Sequence, residues 1–272
     1  MLWIRFHFIA DTSEQGTDIK MINIEKAIKE VLDELAFCPA GFEAEARNEA
    51  VNPQDVPKML EHSLLTVDLT HEALVNECRL ARNLQIAAVC VAPYYADEAV
   101  QLLGGSSVAV CTAVGFPSAL MSTEGKVADV RACVLSGASE IDLAINVAAV
   151  KSGKFDVVEQ DFRRTADAAQ GKVIIKAVFE HGSYNDFEKE QVLAIIKRSG
   201  AQFLKIQNMT SGHGAKAEDI RFVQGILGSG IKIKIDGGVK TLSQALELIG
   251  AGASRIGLTA TKAVVEEVGA SY

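Results

Sequence analysis

Aromatic side chains are scarce in this 272-residue chain, at 6%, with one tryptophan and five prolines. That scarcity disfavours an aromatic-rich β-sandwich. The five cysteines, Cys38, Cys78, Cys90, Cys111 and Cys133, are odd in number and contain no CxxC pair. Their spacing suggests neither a disulfide framework nor a zinc site, and a reducing, cytoplasmic setting is expected. No basic run occurs and the net charge is −8, which disfavours nucleic acid or an anionic membrane as the main partner. No apolar run approaches the roughly 18 residues a membrane helix needs. The opening MLWIRFHFIA is too short for a signal segment with a cleavage site and carries Arg5 and His7 within it. The Asn208-Met209-Thr210 glycosylation pattern has no meaning in a cytosolic chain. A small-molecule substrate is the default that remains.

What is present is apolar and regular. Hydrophobic residues make up 49% of the chain, rich in the small and β-branched types that suit parallel strands alternating with helices. Residues 21–35 place Ile24, Ile28, Val31, Leu32 and Leu35 on one face of an amphipathic helix. Residues 1–20 show no pattern and read as an arm or as an extension upstream of a start at Met21. With the loop that holds Pro39, Gly41, Pro53 and Pro57, residues 1–58 form an N-terminal extension, and residues 59–272 form the main domain.

In that domain short apolar runs alternate with helix-length segments: MLEHSLL, IAAVCVAP, VAVCTAVGFP, SEIDLAIN, KVIIKAVFE, AQFLKIQ, IKIKIDGG and ASRIGLT. Eight βα units in roughly 200 residues predict a closed (β/α)8 TIM barrel. A doubly wound open sheet is the alternative, disfavoured because no glycine fingerprint follows the first strand. A weak repeat supports the barrel. In SGASEID, QGKVIIK, SGAQFLK and AGASRIG, a helix-ending glycine precedes Asp142, Lys176, Lys205 and Gly257 by the same five residues. Equal offsets predict similar heights in the strands.

Lysine is rarely buried without a partner, yet Lys176 in VIIKAVF, Lys205 in QFLKIQ and Lys234 in IKIKID are each flanked by strand-core residues. One such lysine is accounted for by an edge strand from which it reaches solvent. Three in successive strands of a barrel, which has no edge, with Asp142 in the strand before them, ask for chemistry instead. Two lysines and a carboxylate suit amine catalysis. A Schiff-base lysine must shed its proton, a neighbouring cation or apolar pocket lowers its pKa, and a carboxylate moves protons.

The stretches LEHSLL at 60–65, VCVAPYY at 89–95, VGFP at 114–117, SGASEIDLAIN, LK at 204–205, KIDGGVKT at 234–241 and GASRIG at 252–257 keep one order and spacing. In these the chain resembles the deoxyribose-phosphate aldolase family over residues 59–262. The resemblance implies a class I aldolase that cleaves 2-deoxyribose 5-phosphate to acetaldehyde and glyceraldehyde 3-phosphate, without metal or organic cofactor. It implies Lys205 as the Schiff-base lysine, Lys234 as the second lysine that lowers its pKa, and Asp142 as the proton shuttle. Lys176 takes a supporting electrostatic role. Glu61, Ser63, Cys90, Asn208, Gly237, Gly238, Lys240, Gly257 and Thr259 fall on or beside substrate-holding positions.

The substrate-holding positions depart from the family pattern together. Thr-Ser-Thr-Gly after the lysine is Ile206, Gln207, Asn208 and Met209, an Ala or Ser is Asp236, an Arg is Lys240, and Ser-Ser is Thr259-Ala260. Glu61 replaces the first-strand aspartate, with His62 and Ser63 beside it. A carboxylate at Asp236, next to a backbone anion site, should repel phosphate. Either phosphate is still held by Gly237, Gly238, Gly257 and Lys240, or the acceptor aldehyde is unphosphorylated or differently headed. A lysine-dependent sugar isomerase or synthase and a silent ligand-binding barrel are the competing functions. His181 and His213 fall in loops at the catalytic face, Cys90 reads as a small buried residue, and Tyr272 ends a tail able to reach the mouth. Exposed helix faces leave room for a homodimer.

Overall fold

The computed structural model describes residues 51–208, 212, 214 and 216–270, the last without its side chain. The helix expected over residues 21–35, Met209, His213 and Tyr272 lie outside the described residues. Eight strands close into one barrel, every neighbouring pair parallel and β8 hydrogen-bonded to β1. They are β1 (Leu60–Leu64), β2 (Ala88–Val91), β3 (Ala109–Val114), β4 (Glu140–Ala144), β5 (Ile174–Glu180), β6 (Phe203–Gln207), β7 (Lys232–Asp236) and β8 (Arg255–Leu258). Each lies inside one of the eight apolar runs, so the closed barrel, and not the open sheet, is the fold.

Between the strands run α1 (His71–Leu84), α2 (Ala96–Leu103), α3 (Thr123–Leu135), α4 (Val147–Lys151), α5 (Phe155–Asp167), α6 (Asp186–Arg198), α7 (Ala217–Leu227), α8 (Leu242–Gly250) and α9 (Thr261–Ala270). Their starts are written locally. Thr70 and Ser122 accept from the backbone N–H groups of Ala73 and Gly125, and Asn185 with Glu188 and Thr241 with Gln244 form capping boxes. The glycines of the repeat do end helices in left-handed turns, with φ of 89° at Gly137 and 76° at Gly200. A short 3-10 turn, Pro53–Met59, precedes β1 and buries Val56 in the core.

Strand residues alternate between two buried environments. Outward positions such as Leu143, Leu204, Ile233 and Ile235 pack with the helices into one apolar shell. Inward positions fill the bore, whose apolar share is small: Cys90, Cys111 and Ala113 form one cluster, and Ala144 and Val178 pack with Ala119 in another.

The expected equal heights need one correction. Asp142 pairs with Lys176 and Lys205 with Lys234, but at the β5–β6 junction Lys205 pairs with Val178, two residues beyond Lys176. Strands tilted in a barrel are staggered, so equal distance from a turn is not equal register.

Candidate active site

The three strand lysines are completely buried and converge on one carboxylate. Asp142 Oδ2 is 2.9 Å from Lys205 Nζ and 2.7 Å from Lys234 Nζ, and Oδ1 is 3.2 Å from Lys176 Nζ. Glu61 lies 2.8 Å from Lys176, ion-pairs with Lys234 and meets Arg255 at 3.1 Å. Glu140 reaches Lys176 at 2.5 Å and Arg255 at 3.2 Å. Asp236 stands 2.7 Å from Lys205 and 3.6 Å from Lys234. Four cations thus face four carboxylates, and this balance is what makes so much charge tolerable in a bore that other barrels fill with branched apolar residues.

Burial alone would raise the carboxyl of Glu61, but Lys176 and Lys234 overcome it and hold the group at about 2. Burial opposes ionisation of Asp142 too, and the three lysines still keep it far below the usual carboxylate range. Burial pushes Lys205 down and Lys234 pushes it the same way, as the sequence led us to expect. Asp142 and Asp236 outweigh both, and the group stands above the ordinary lysine value. The two carboxylates thus favour the ammonium form of Lys205.

The three lysines differ in how they are held. Lys176 donates to Glu61 and to Cys111 Sγ at 3.2 Å, and Lys234 donates to Glu61 and Asp142. Lys205 Nζ makes its ionic contacts without one aligned hydrogen bond, and the ring of Phe116 lies 5.2 Å away. Fewer directional bonds therefore anchor Lys205 than either neighbour.

A cavity of about 600 Å³ opens above it. Of the residues expected to hold substrate, Ser63, Asn208, Gly237, Gly238 and Thr259 line its wall, with Gln207, Gly212, Gly214, Phe116 and Asp236. Other expected substrate residues lie elsewhere. Glu61, Cys90 and Lys176 are fully buried among the bore charges below the cavity, Gly257 lies under the Asp236 carboxylate, and the Lys240 side chain is exposed away from the wall. His62 faces outward, tying β1 to Glu77 of α1 at 3.0 Å and Thr261 of α9 at 2.7 Å. His181 is 3.5 Å from Asp219, which also accepts from Asn208 at 3.1 Å. Burial is the largest influence on His181 and holds it below the usual histidine value despite Asp219.

Glu140 and Arg255 carry charge that the sequence reading passed over. Both sit two residues before a site position in their strands, Asp142 and Gly257, so period-two alternation points them into the bore. Lys126 had no such signal: a lysine on α3 reads as solvent-facing, yet it is buried, donates to Ala144 O at 3.3 Å and ion-pairs with Asp161 of α5. The ligand atoms of Glu61, Cys90, Cys111 and Asp142 fall within 4.8 Å of one another, a spacing a metal would accept, but lysine Nζ groups already bond both carboxylates.

A closed barrel whose mouth stands over a cluster of buried lysines and carboxylates has the layout of a barrel enzyme. No protein-family profile matches the chain. Among curated proteins it is 36% identical over 217 residues to deoxyribose-phosphate aldolase from Clostridium kluyveri, across 80% of this chain and all of that one. It is 35% identical to the Clostridium tetani deoxyribose-phosphate aldolase, covering 78% and 99% of the two chains. Among solved structures it superposes on QR15, an aldolase, with a TM-score of 0.74 and 30% identity over 78% of this chain and 95% of that one. The chain belongs to the deoxyribose-phosphate aldolase family, and it is a lyase. Among the described residues no helix is long and apolar enough to cross a membrane.

Proposed function

We propose that the chain reversibly cleaves 2-deoxy-D-ribose 5-phosphate to acetaldehyde and D-glyceraldehyde 3-phosphate through an imine on Lys205. The observation that carries this is the contrast among the lysines: Lys205 alone of the three has no aligned hydrogen bond, and it lies beneath the cavity wall. The neutral amine adds to the aldehyde carbon of the open-chain sugar, and loss of water leaves an iminium. Electron withdrawal into it lets the bond between the α and β carbons break as the β-hydroxyl loses its proton, leaving the enamine of acetaldehyde. Protonation and hydrolysis free the lysine. Asp142, held anionic while the imine forms, steadies the iminium and moves protons only in the later carbon–carbon step; Lys234 opposes protonation of Lys205; Lys176 and Glu61 keep Asp142 in place.

The backbone of Gly237 and Gly238 with Thr259 forms the end of the cavity suited to the phosphate. Asp236 is less of an obstacle there than its charge suggests, because its carboxylate points down to Lys205 and Lys234. One observation favours a second reading, an acceptor aldehyde without phosphate: among the described residues lining the cavity the only charged side chain is Asp236. The division at residue 58, a cytoplasmic location and a homodimer complete the reading.

The test is to incubate the protein with acetaldehyde, reduce with borohydride and locate the adduct by peptide mass. An adduct on Lys205 supports the imine; none, or one confined to surface lysines, overturns it. Saturation curves with 2-deoxyribose 5-phosphate and 2-deoxyribose separate the two acceptors, a strong preference for the phosphate removing the second reading.

A further inference from the structure

Asp236 stands between the cavity and Lys205. Its carboxylate occupies the space left by the missing Cβ of Gly257, where an added Cβ would sit 1.8 Å from Oδ1. It lines the cavity wall, its side chain keeps 18% of its exposure, and Lys205 Nζ beneath it is wholly enclosed. A carbonyl group entering from the cavity meets this carboxylate before it meets the amine. Oδ2 is 2.7 Å from Lys205 Nζ, and Oδ1 has no hydrogen-bond partner although it is enclosed.

Asp142 is poorly suited to take the Lys205 proton. It faces three lysines at once, receives a hydrogen bond from Lys234 and is completely buried, so its negative charge is held while the imine forms. Asp236 has one close cation and a second at 3.6 Å. Around Lys205 stand Asp142 from β4, Asp236 and Lys234 from β7, Cys90 from β2 and the Phe116 ring. Around Asp236 stand Lys205 and Lys234, with the bare backbone of β8 at Gly257 on its other side. Glu61, Lys176 and Arg255 form the next layer.

We propose that Asp236 is a second acid–base group of the reaction, carrying the Lys205 proton on the cavity side while Asp142 remains the fixed anion below. The proposal rests on Lys205 being the Schiff-base lysine. In the first step the ammonium proton passes to Asp236, leaving a neutral amine and a carboxylic acid. The amine adds to the carbonyl carbon, and one proton moves from nitrogen to the new oxygen to give the carbinolamine. Asp236 then returns its proton to that hydroxyl, which leaves as water, and the nitrogen lone pair completes the iminium. The carboxylate is regenerated, facing the cation it has helped to create. Hydrolysis of the product imine runs the same transfers backwards.

The experiment follows the rate of imine formation with acetaldehyde from pH 5 to 9 by borohydride trapping, in the unaltered protein, Asp236→Asn and Asp236→Ala, with and without formate. Positioned proton transfer contributes roughly 10²- to 10⁴-fold, so both variants should form the Lys205 adduct at least about 30-fold more slowly. Formate should restore much of the rate to Asp236→Ala, where it fits the vacated space, and little to Asp236→Asn, where the amide fills it. Rates equal to the unaltered protein across the pH range would overturn the proposal. So would a slow Asp236→Ala that formate does not accelerate, which assigns the residue to packing. Absence of a Lys205 adduct in the unaltered protein would instead remove the Schiff-base reading itself.

Discussion

The two faces of the barrel sheet are equally dry and chemically opposite. Leu204 and Lys205 are consecutive on β6 and both have no exposed surface, as do Lys234 and Ile235 on β7. One side chain of each pair joins the apolar shell under the helices and the other joins the charge cluster in the bore. The shell is held by removal of carbon from water, which is tolerant of detail and insensitive to pH. The bore is held by matched charges, each of which stays ionised only because its partners do. Burial does not distinguish structure from function here; the direction a side chain takes from the strand does.

That contrast is broken most directly at Lys205. Lys205→Met keeps the volume and removes the amine, and the aldolase rate should fall by at least roughly 10⁴-fold, measured by steady-state turnover, with no borohydride adduct. A retained rate would mean that the bore charges are scaffold. Lys126→Met tests the reverse case, a buried pair in the shell. Leaving Asp161 with no cation should cost about 3–5 kcal/mol of stability in urea denaturation, with turnover per folded molecule unchanged.

Acid should attack the bore before the shell. The carboxyl of Glu61 is lowered from 4.5 to about 2 in the folded protein, so its contribution to stability is full above about 4.5 and is lost as the pH falls toward 2. Asp142 is shifted in the same direction and adds to the same loss. Urea midpoints measured from pH 6 to 3 should therefore fall steadily below about 4.5, and a flat profile would contradict the ion cluster. The smallest effect is expected at the rim. Lys240 is exposed and off the cavity wall, and a screened surface charge is worth up to about 1 kcal/mol, so Lys240→Ala should raise KM for 2-deoxyribose 5-phosphate by no more than about fivefold.

Much of this was legible in the chain. Eight apolar runs at regular spacing marked the strands because a parallel strand covered on both faces must be apolar, and a lysine inside such a run is conspicuous. Asp142 followed from the shared offset with Lys176 and Lys205. Lys126 was not legible, since a helical lysine becomes buried only through its neighbour from another helix, Asp161. Glu61 and Cys90 were expected on or beside substrate-holding positions, and strand stagger buries both below the cavity wall. Lys234 was expected to depress Lys205, and it does so, but two carboxylates from β4 and β7 overcome it.

The sequence by itself determined the barrel, the place of each strand and the meeting of Asp142 with the strand lysines, because period-two alternation and turn chemistry are local. Only the tertiary structure decided which charge answers which. Coulomb interactions depend on distances between strands remote in sequence, and those distances are set by the tilt and closure of the barrel. They leave Lys205 as the lysine without an aligned hydrogen bond and Asp236 as the carboxylate that covers it.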